Sequence, residues 1–191
     1  MFPDHGRKPN RLKEYDYSED GFYFVTICAK DRGDRFQTHP YFGEIKGGKM
    51  ILNNCGRVIK KCWFDLLNHY WNCKLDEFII MPNHFHGIII IANNVNVGTG
   101  LKPGTVGTVT VGTGLKPVPT IYTLSEIIRG FKTFSSKTIN QDNPDMAFRW
   151  QRSFYDHIIY GEQSLMKIRE YIRNNPLKWE LDRNNPENLF M

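Results

Sequence analysis

Phe78-Ile79-Ile80-Met81-Pro82-Asn83-His84-Phe85-His86-Gly87-Ile88-Ile89-Ile90-Ile91 is the stretch from which the rest of the chain is read. Gly87 to Ile91 is a short apolar, β-branched run, the pattern of a strand buried on both faces. Phe78-Ile79-Ile80 reads as the strand before it, and Pro82-Asn83 as the turn between them. Side chains alternate along a strand, so His84 and His86 project to one side and Phe85 to the other. Two imidazoles side by side at a strand mouth can bind one divalent metal. They can equally be strand-end residues satisfied by hydrogen bonds, and spacing alone leaves both readings open.

Upstream, Arg7, Lys8, Arg11 and Lys13 form a basic arm within about the first 20 residues. Gly21 to Ala29 (Gly-Phe-Tyr-Phe-Val-Thr-Ile-Cys-Ala) is aromatic and β-branched, a strand. Gly43-Glu44-Ile45 and Lys49 to Leu52 flank Gly47-Gly48, a hairpin pattern. From Asn54 to about Tyr70, Val58, Ile59, Cys62, Trp63, Leu66 and Leu67 recur at helical spacing, with Asn53 or Asn54 as cap and Arg57, Lys60 and Lys61 on the polar side. Leu124 to Phe134 opens a second helix, with Leu124, Ile127, Ile128, Phe131 and Phe134 inward. Ser153 to Ile159 is a further strand, and Glu162 to Asn174 a last helix that Pro176 should close at Asn175.

The length of 191 residues suits one domain with its own core. No apolar run is long enough to span a membrane, and the polar, proline-broken start does not resemble a signal peptide, which points to the cytoplasm. Cys28, Cys55, Cys62 and Cys73 lack C-x-x-C spacing and read as free thiols. A net charge of +5 and a pI near 9.0 favour an anionic partner.

Residues from about 93 to 120 break the pattern. Val97 to Pro103 and Val111 to Pro117 carry the same seven residues, Val-Gly-Thr-Gly-Leu-Lys-Pro. Glycine and proline at this density, without an apolar period, cannot fill a core, so the segment reads as a flexible surface insertion. The genetic code permits GTA-GGG-ACA-GGC-TTG-AAG-CCT-GTC-CCT-ACA for Val111 to Thr120, whose halves are inverted complements, as expected of a translated DNA palindrome.

In the last helix Ile168, Tyr171, Ile172 and Asn175 share a face. One reading has Tyr171 packing with its neighbours and Asn175 as a cap. The other has this face present a phenol, and one turn on an amide oxygen, to the histidine pair. A metal held by His84, His86 and Asn175 would keep positions open for water and phosphate oxygens, which suits Mg²⁺ or Mn²⁺ acting on a phosphodiester.

Met81-Pro82-Asn83-His84-Phe85-His86-Gly87, followed by Tyr171-x-x-x-Asn175-Pro176-x-Lys178-Trp179, resembles the REP-associated tyrosine transposases of the IS200/IS605-like single-tyrosine group. Arg11-Leu12-Lys13-x-Tyr15-Asp16-Tyr17 with Tyr23 to Cys28, and Gln151 to Ile159, carry the same resemblance. It implies an α+β fold, a ferredoxin-like antiparallel sheet with flanking helices. It further implies that His84 and His86 bind a metal with Asn175 as third ligand, that Tyr171 is the nucleophile, and that the substrate is single-stranded DNA folded as REP-like hairpins. Arg11, Lys13, Arg129, Lys132, Arg149, Trp150 and Arg152 become candidate phosphate contacts and stacking platforms. The enzyme would work in the cytoplasm, at the nucleoid, as a monomer or homodimer. The chain departs from the family at Tyr160-Gly161, where Arg-Asn is usual, a departure that bears on one expected DNA contact and leaves the catalytic set intact. A non-catalytic single-stranded nucleic-acid binder on a ferredoxin-like sheet is the alternative. A His-x-His metallohydrolase or oxygenase would need a carboxylate ligand that the sequence does not place.

Overall fold

The computed structural model describes residues 12, 14–30, 40–93 and 120–181. The elements run β1 (Gly21–Cys28), β2 (Gly43–Lys46), β3 (Lys49–Leu52), α1 (Asn54–His69), β4 (Cys73–Ile80), β5 (His84–Ile91), α2 (Leu124–Asp142), β6 (Tyr155–Ile159) and α3 (Glu162–Asn174). Short 3₁₀ turns follow α2 and α3, at Pro144–Met146 and Pro176–Leu181. The main sheet has the order β4-β5-β1-β6, every neighbouring pair antiparallel. β2 and β3 form a separate hairpin. Setting the hairpin aside, two β-α-β units interleave their strands, so the fold is α+β and ferredoxin-like.

Register fixes what each face carries. Tyr23, Val25 and Ile27 stand opposite Ile89, Gly87 and Phe85, and these side chains meet α1 and α2 in the main core. Gly87 belongs to that packing: a Cβ there would lie 2.8 Å from Trp63 and from Phe85, so glycine lets the α1 indole rest on the sheet. The other face carries Phe24, Thr26 and Cys28 opposite Ile88, His86 and His84. α3 covers part of it through a small second core of Ile88, Ile159, Leu165 and Ile172.

The helix caps follow sequence chemistry. Asn53 accepts a bond from the Gly56 amide at the start of α1. Thr123 and Glu126 form a reciprocal capping box at the start of α2. The inward stripe of α2 runs Leu124, Ile127, Ile128, Phe131, Ser135 and Ile139. Phe134, expected inward, is therefore displaced to the margin, about half exposed and stacked on His69, because the 3.6-residue period gives the inner slot to Ser135. Leu67 of α1 is displaced in the same way.

The last helix ends at Asn174 with Asn175 as its cap, as expected, but the backbone at that cap is not the one Pro176 was expected to impose. Asn175 keeps helical angles (φ −58°, ψ −44°), and the chain passes directly from α3 into the 3₁₀ turn. Pro176 is compatible because a turn of that kind needs no amide at its first position. At the other end of α3, Gly161 has φ 77°. With ψ 160° this is a region essentially confined to glycine, so Gly161 is the residue that this backbone conformation favours.

Candidate active site

His84 and His86 enter the site from the central strand β5, fixed by ladders to β4 on one side and β1 on the other. Both are buried, and aromatic rings cover them. Trp179 stacks over His84, with centroids 6.0 Å apart. Phe24 stacks on His86 at 5.4 Å. Tyr171 meets both Phe24 and His86 edge-on, at 6.0 and 5.4 Å.

Hydrogen bonds set the ring orientation. His84 Nδ1 lies 2.9 Å from the Asn83 side-chain carbonyl oxygen, which can only accept. That places the proton on Nδ1 and leaves Nε2 with its lone pair. Thr26 Oγ1 lies 2.8 Å from His86 Nδ1 and fixes the orientation of the second ring, the hydroxyl being able to donate or accept. The two Nε2 atoms are 3.0 Å apart. Two metal–nitrogen bonds of about 2.1 Å at right angles give about that separation, the cis edge of an octahedral ion. By that separation the pair could hold one divalent cation.

Tyr171 stands on α3 with its hydroxyl 3.5 Å from His86 Nε2 and is 44% exposed, which makes the phenol the solvent-facing member of the group. Asn175, one turn further on the same face, is buried, and its Oδ1 has no hydrogen-bond partner. A buried amide oxygen without a partner is costly and suits a cation. Among the described residues no cluster of three or more His, Cys, Asp or Glu is placed to hold a metal. The two imidazoles and this amide oxygen are the groups that could hold one.

α3 is docked by charge. Arg169 donates to both carboxylate oxygens of Asp76, at 3.0 and 2.6 Å, and Arg173 pairs with Glu77. The Arg169 hydrogen bond holds the Asp76 carboxyl below its ordinary pKa. Asp76 and Glu77 lie at the register shift in β4, between Leu75 and Phe78. The irregularity in the edge strand is where the helix bearing Tyr171 is fastened.

The expected DNA contacts separate into groups. Arg129, Lys132, Arg149, Trp150 and Arg152 all line one cleft of about 580 Å³ between α2 and the segment before β6. Arg129, Arg149 and Arg152 are exposed along it. Lys132 Nζ instead donates to the Gln151 and Arg152 carbonyls at 2.6 and 2.9 Å, so it holds the cleft wall. Trp150 is corrected to a core residue. It is buried among Phe42, Phe131 and Phe148, and its Nε1 donates to Ser135 Oγ at 2.9 Å, so no ring face is offered to a base. Arg11 and Lys13 lie outside the described residues.

Sequence reasoning missed Thr26, Phe24 and Asn83 as positioning residues. Asn83 adjoins His84 within the quoted motif and could have been found. Thr26 and Phe24 lie some sixty positions earlier, and only strand pairing brings them in.

Comparison with known proteins bears on this arrangement. The sequence family "Transposase IS200 like" matches residues 115–175, a span that ends on Asn175 and includes Tyr171. An uncharacterized protein of Haemophilus influenzae is 38% identical over 178 residues, covering 93% of this chain and 92% of its own. The chain belongs to the IS200-like transposase family. A solved REP-associated tyrosine transposase bound to a REP hairpin shares the fold, with a TM-score of 0.53 and 14% identity over 88% of this chain and 73% of that one. For an IS200-like transposase, the match places Tyr171 and Asn175 in the family's own segment, while the histidines are contributed by β5, upstream of it. No helix among the described residues is long and apolar enough to cross a membrane.

Proposed function

We propose that this chain nicks and rejoins single-stranded DNA at palindromic repeats folded as hairpins, with Tyr171 as nucleophile. A divalent cation, Mg²⁺ or Mn²⁺, would be held by His84, His86 and Asn175. The observation that carries the reading is the phenol of Tyr171 at 3.5 Å from His86 Nε2, above two imidazole nitrogens 3.0 Å apart. In the forward step Tyr171 Oη forms a bond to a backbone phosphorus while the P–O3′ bond breaks. The phenolic proton is lost, and the departing 3′ oxygen takes one up. The product is a 5′-phosphotyrosyl link and a free 3′-hydroxyl. Attack by a 3′-hydroxyl on that link reverses the exchange and reseals a strand. One ester replaces another, so no nucleotide hydrolysis is needed.

A bound divalent cation supplies charge neutralisation at the phosphate oxygens. The chain does the rest. Asn83 and Thr26 aim the imidazoles, Phe24 sets the edge against which Tyr171 stands, and the Arg169–Asp76 pair fixes the height of α3. Arg129, Arg149 and Arg152 would take phosphates along their cleft. Tyr171 lies against His86 of its own chain, which supports a site built within one protomer.

A 3′-labelled single-stranded hairpin oligonucleotide tests this. The expected result is a covalent protein–DNA adduct that requires Mg²⁺ or Mn²⁺ and disappears in Tyr171→Phe. An adduct that persists in that variant would remove Tyr171 from the role. Salt-sensitive binding with no cleavage, indifferent to His84→Ala, would favour the non-catalytic binder instead.

A further inference from the structure

The chain between β5 and α2 leaves and returns at one place. Asn72 Nδ2 donates to Asn93 Oδ1 at 3.0 Å and to the Tyr122 carbonyl at 2.9 Å, so a single side chain joins the two ends. Trp71 Nε1 donates to the Thr120 carbonyl at 2.7 Å beside it. A strand-to-helix connection in such a unit usually takes about 2–6 residues. Asn93 and Thr120 bracket a far longer segment, and these bonds hold its two ends together.

The peptide inside that bracket has a property that belongs to nucleic acid. In Val111-Gly112-Thr113-Gly114-Leu115-Lys116-Pro117-Val118-Pro119-Thr120 the first two bases of most codons are fixed by the genetic code. Val111 and Thr120 fix GT and AC, and Gly112 and Pro119 fix GG and CC. Thr113 and Val118 fix AC and GT, and Gly114 and Pro117 fix GG and CC. Every mirrored pair is an inverted complement. Leu115 and Lys116 continue this at the centre as TT and AA when leucine uses a TTA or TTG codon. Chance agreement at one mirrored pair would mean little, but here it holds at all of them and in one phase. The earlier copy, Val97 to Pro103, keeps only the inner part, because Gly104 stands where Val118 stands in the later one. No requirement of protein structure selects residues for mirrored codon complementarity.

We infer that codons 111–120 of this protein's own gene are a copy of the hairpin its site handles, inserted in frame where Asn72 already closed the chain. The inference rests on the proposed hairpin substrate and gives it a sequence: GT·GG·AC·GG·TT as one arm and its complement as the other, each point a base the protein sequence leaves open. The insertion is then a record of the substrate rather than a working part of the protein.

The test combines the gene sequence with single strands presented to the full chain. The codons should use third bases that extend the pairing through the stem. A 3′-labelled strand of that sequence should bind about tenfold or more tightly than a strand encoding the same peptide with synonymous bases that interrupt the stem at every third position. It should also outcompete a scrambled stem of equal stability and give the Tyr171-dependent adduct. Codons that break the arms, or equal binding and cleavage of the scrambled stem, would overturn the inference while leaving the strand-transfer activity intact. No Tyr171-dependent adduct on any hairpin would remove the proposed function and this inference together.

Discussion

Thr26→Val isolates the orientation of His86 from its presence. The substitution keeps the branched shape at a buried position of β1 and removes only the hydroxyl 2.8 Å from His86 Nδ1. His86 can then turn about its side-chain bonds or adopt the other tautomer, and either change takes the Nε2 lone pair from the point it shares with His84. Loss of a hydrogen bond that orients a metal-binding histidine typically weakens metal affinity about 10- to 100-fold. In free energy that is about 1.4–2.7 kcal/mol. The cost to the apo fold should be smaller, about 1 kcal/mol for one net hydrogen bond, or about 2–4 °C in melting temperature. Calorimetric titration of Mn²⁺ into wild type, Thr26→Val and Thr26→Ser reads the first quantity, and thermal melts without metal read the second. Serine should restore most of the affinity because it keeps the hydroxyl. If valine binds Mn²⁺ as wild type does, with an intact fold, the hydroxyl does not orient the ring and the reasoning fails.

Other consequences can be measured directly. Asp76→Asn should lower stability at pH 7 and flatten its acid limb: the depressed carboxyl contributes fully above about pH 4 and loses that contribution as pH falls through its folded pKa, so wild type and variant melts should converge in acid. Trp150→Phe should cost about 1–3 kcal/mol by leaving the buried Ser135 hydroxyl without its donor, with DNA affinity unchanged, as denaturant titration and gel shift would show. Arg149→Ala should do the reverse, keeping stability while lowering the salt slope of DNA binding by about 1. Gly87→Ala should destabilise by about 1–3 kcal/mol through the 2.8 Å clash with Trp63 and Phe85, read as a lower denaturation midpoint at unchanged slope.

What the sequence disclosed and what it withheld divide along a physical line. His84 and His86 share a side because alternation is a local property of a strand, and the three helices were visible because amphipathic period is local too. The sheet order was not in the pattern of apolar residues. It came with the family resemblance, and the ladders of β5 to both β4 and β1 carry it. Thr26 had no local mark, since its function exists only after β1 pairs with β5. Trp150 misled because an aromatic between two arginines looks like a DNA platform, whereas its ring is turned inward by the bridge between Ala29 and Trp150 at the end of β1. Asn175 was legible as a position but not as a buried, unpartnered oxygen, because burial is a property of the packed fold and leaves no local mark.

The mounting of α3 on β4 has a consequence for exchange of backbone hydrogens. The histidines sit in a central strand with ladders on both sides, so their amides should exchange only through global unfolding. Tyr171 rides a helix held by a small apolar cluster and two ion pairs to an edge strand, so the amides of α3 should exchange through a lower-energy local opening. Ion pairs on a surface weaken as ionic strength rises. Added salt should therefore accelerate deuterium uptake across α3 while leaving β5 unchanged, separating in time the two halves of a site that lie within hydrogen-bonding distance of each other.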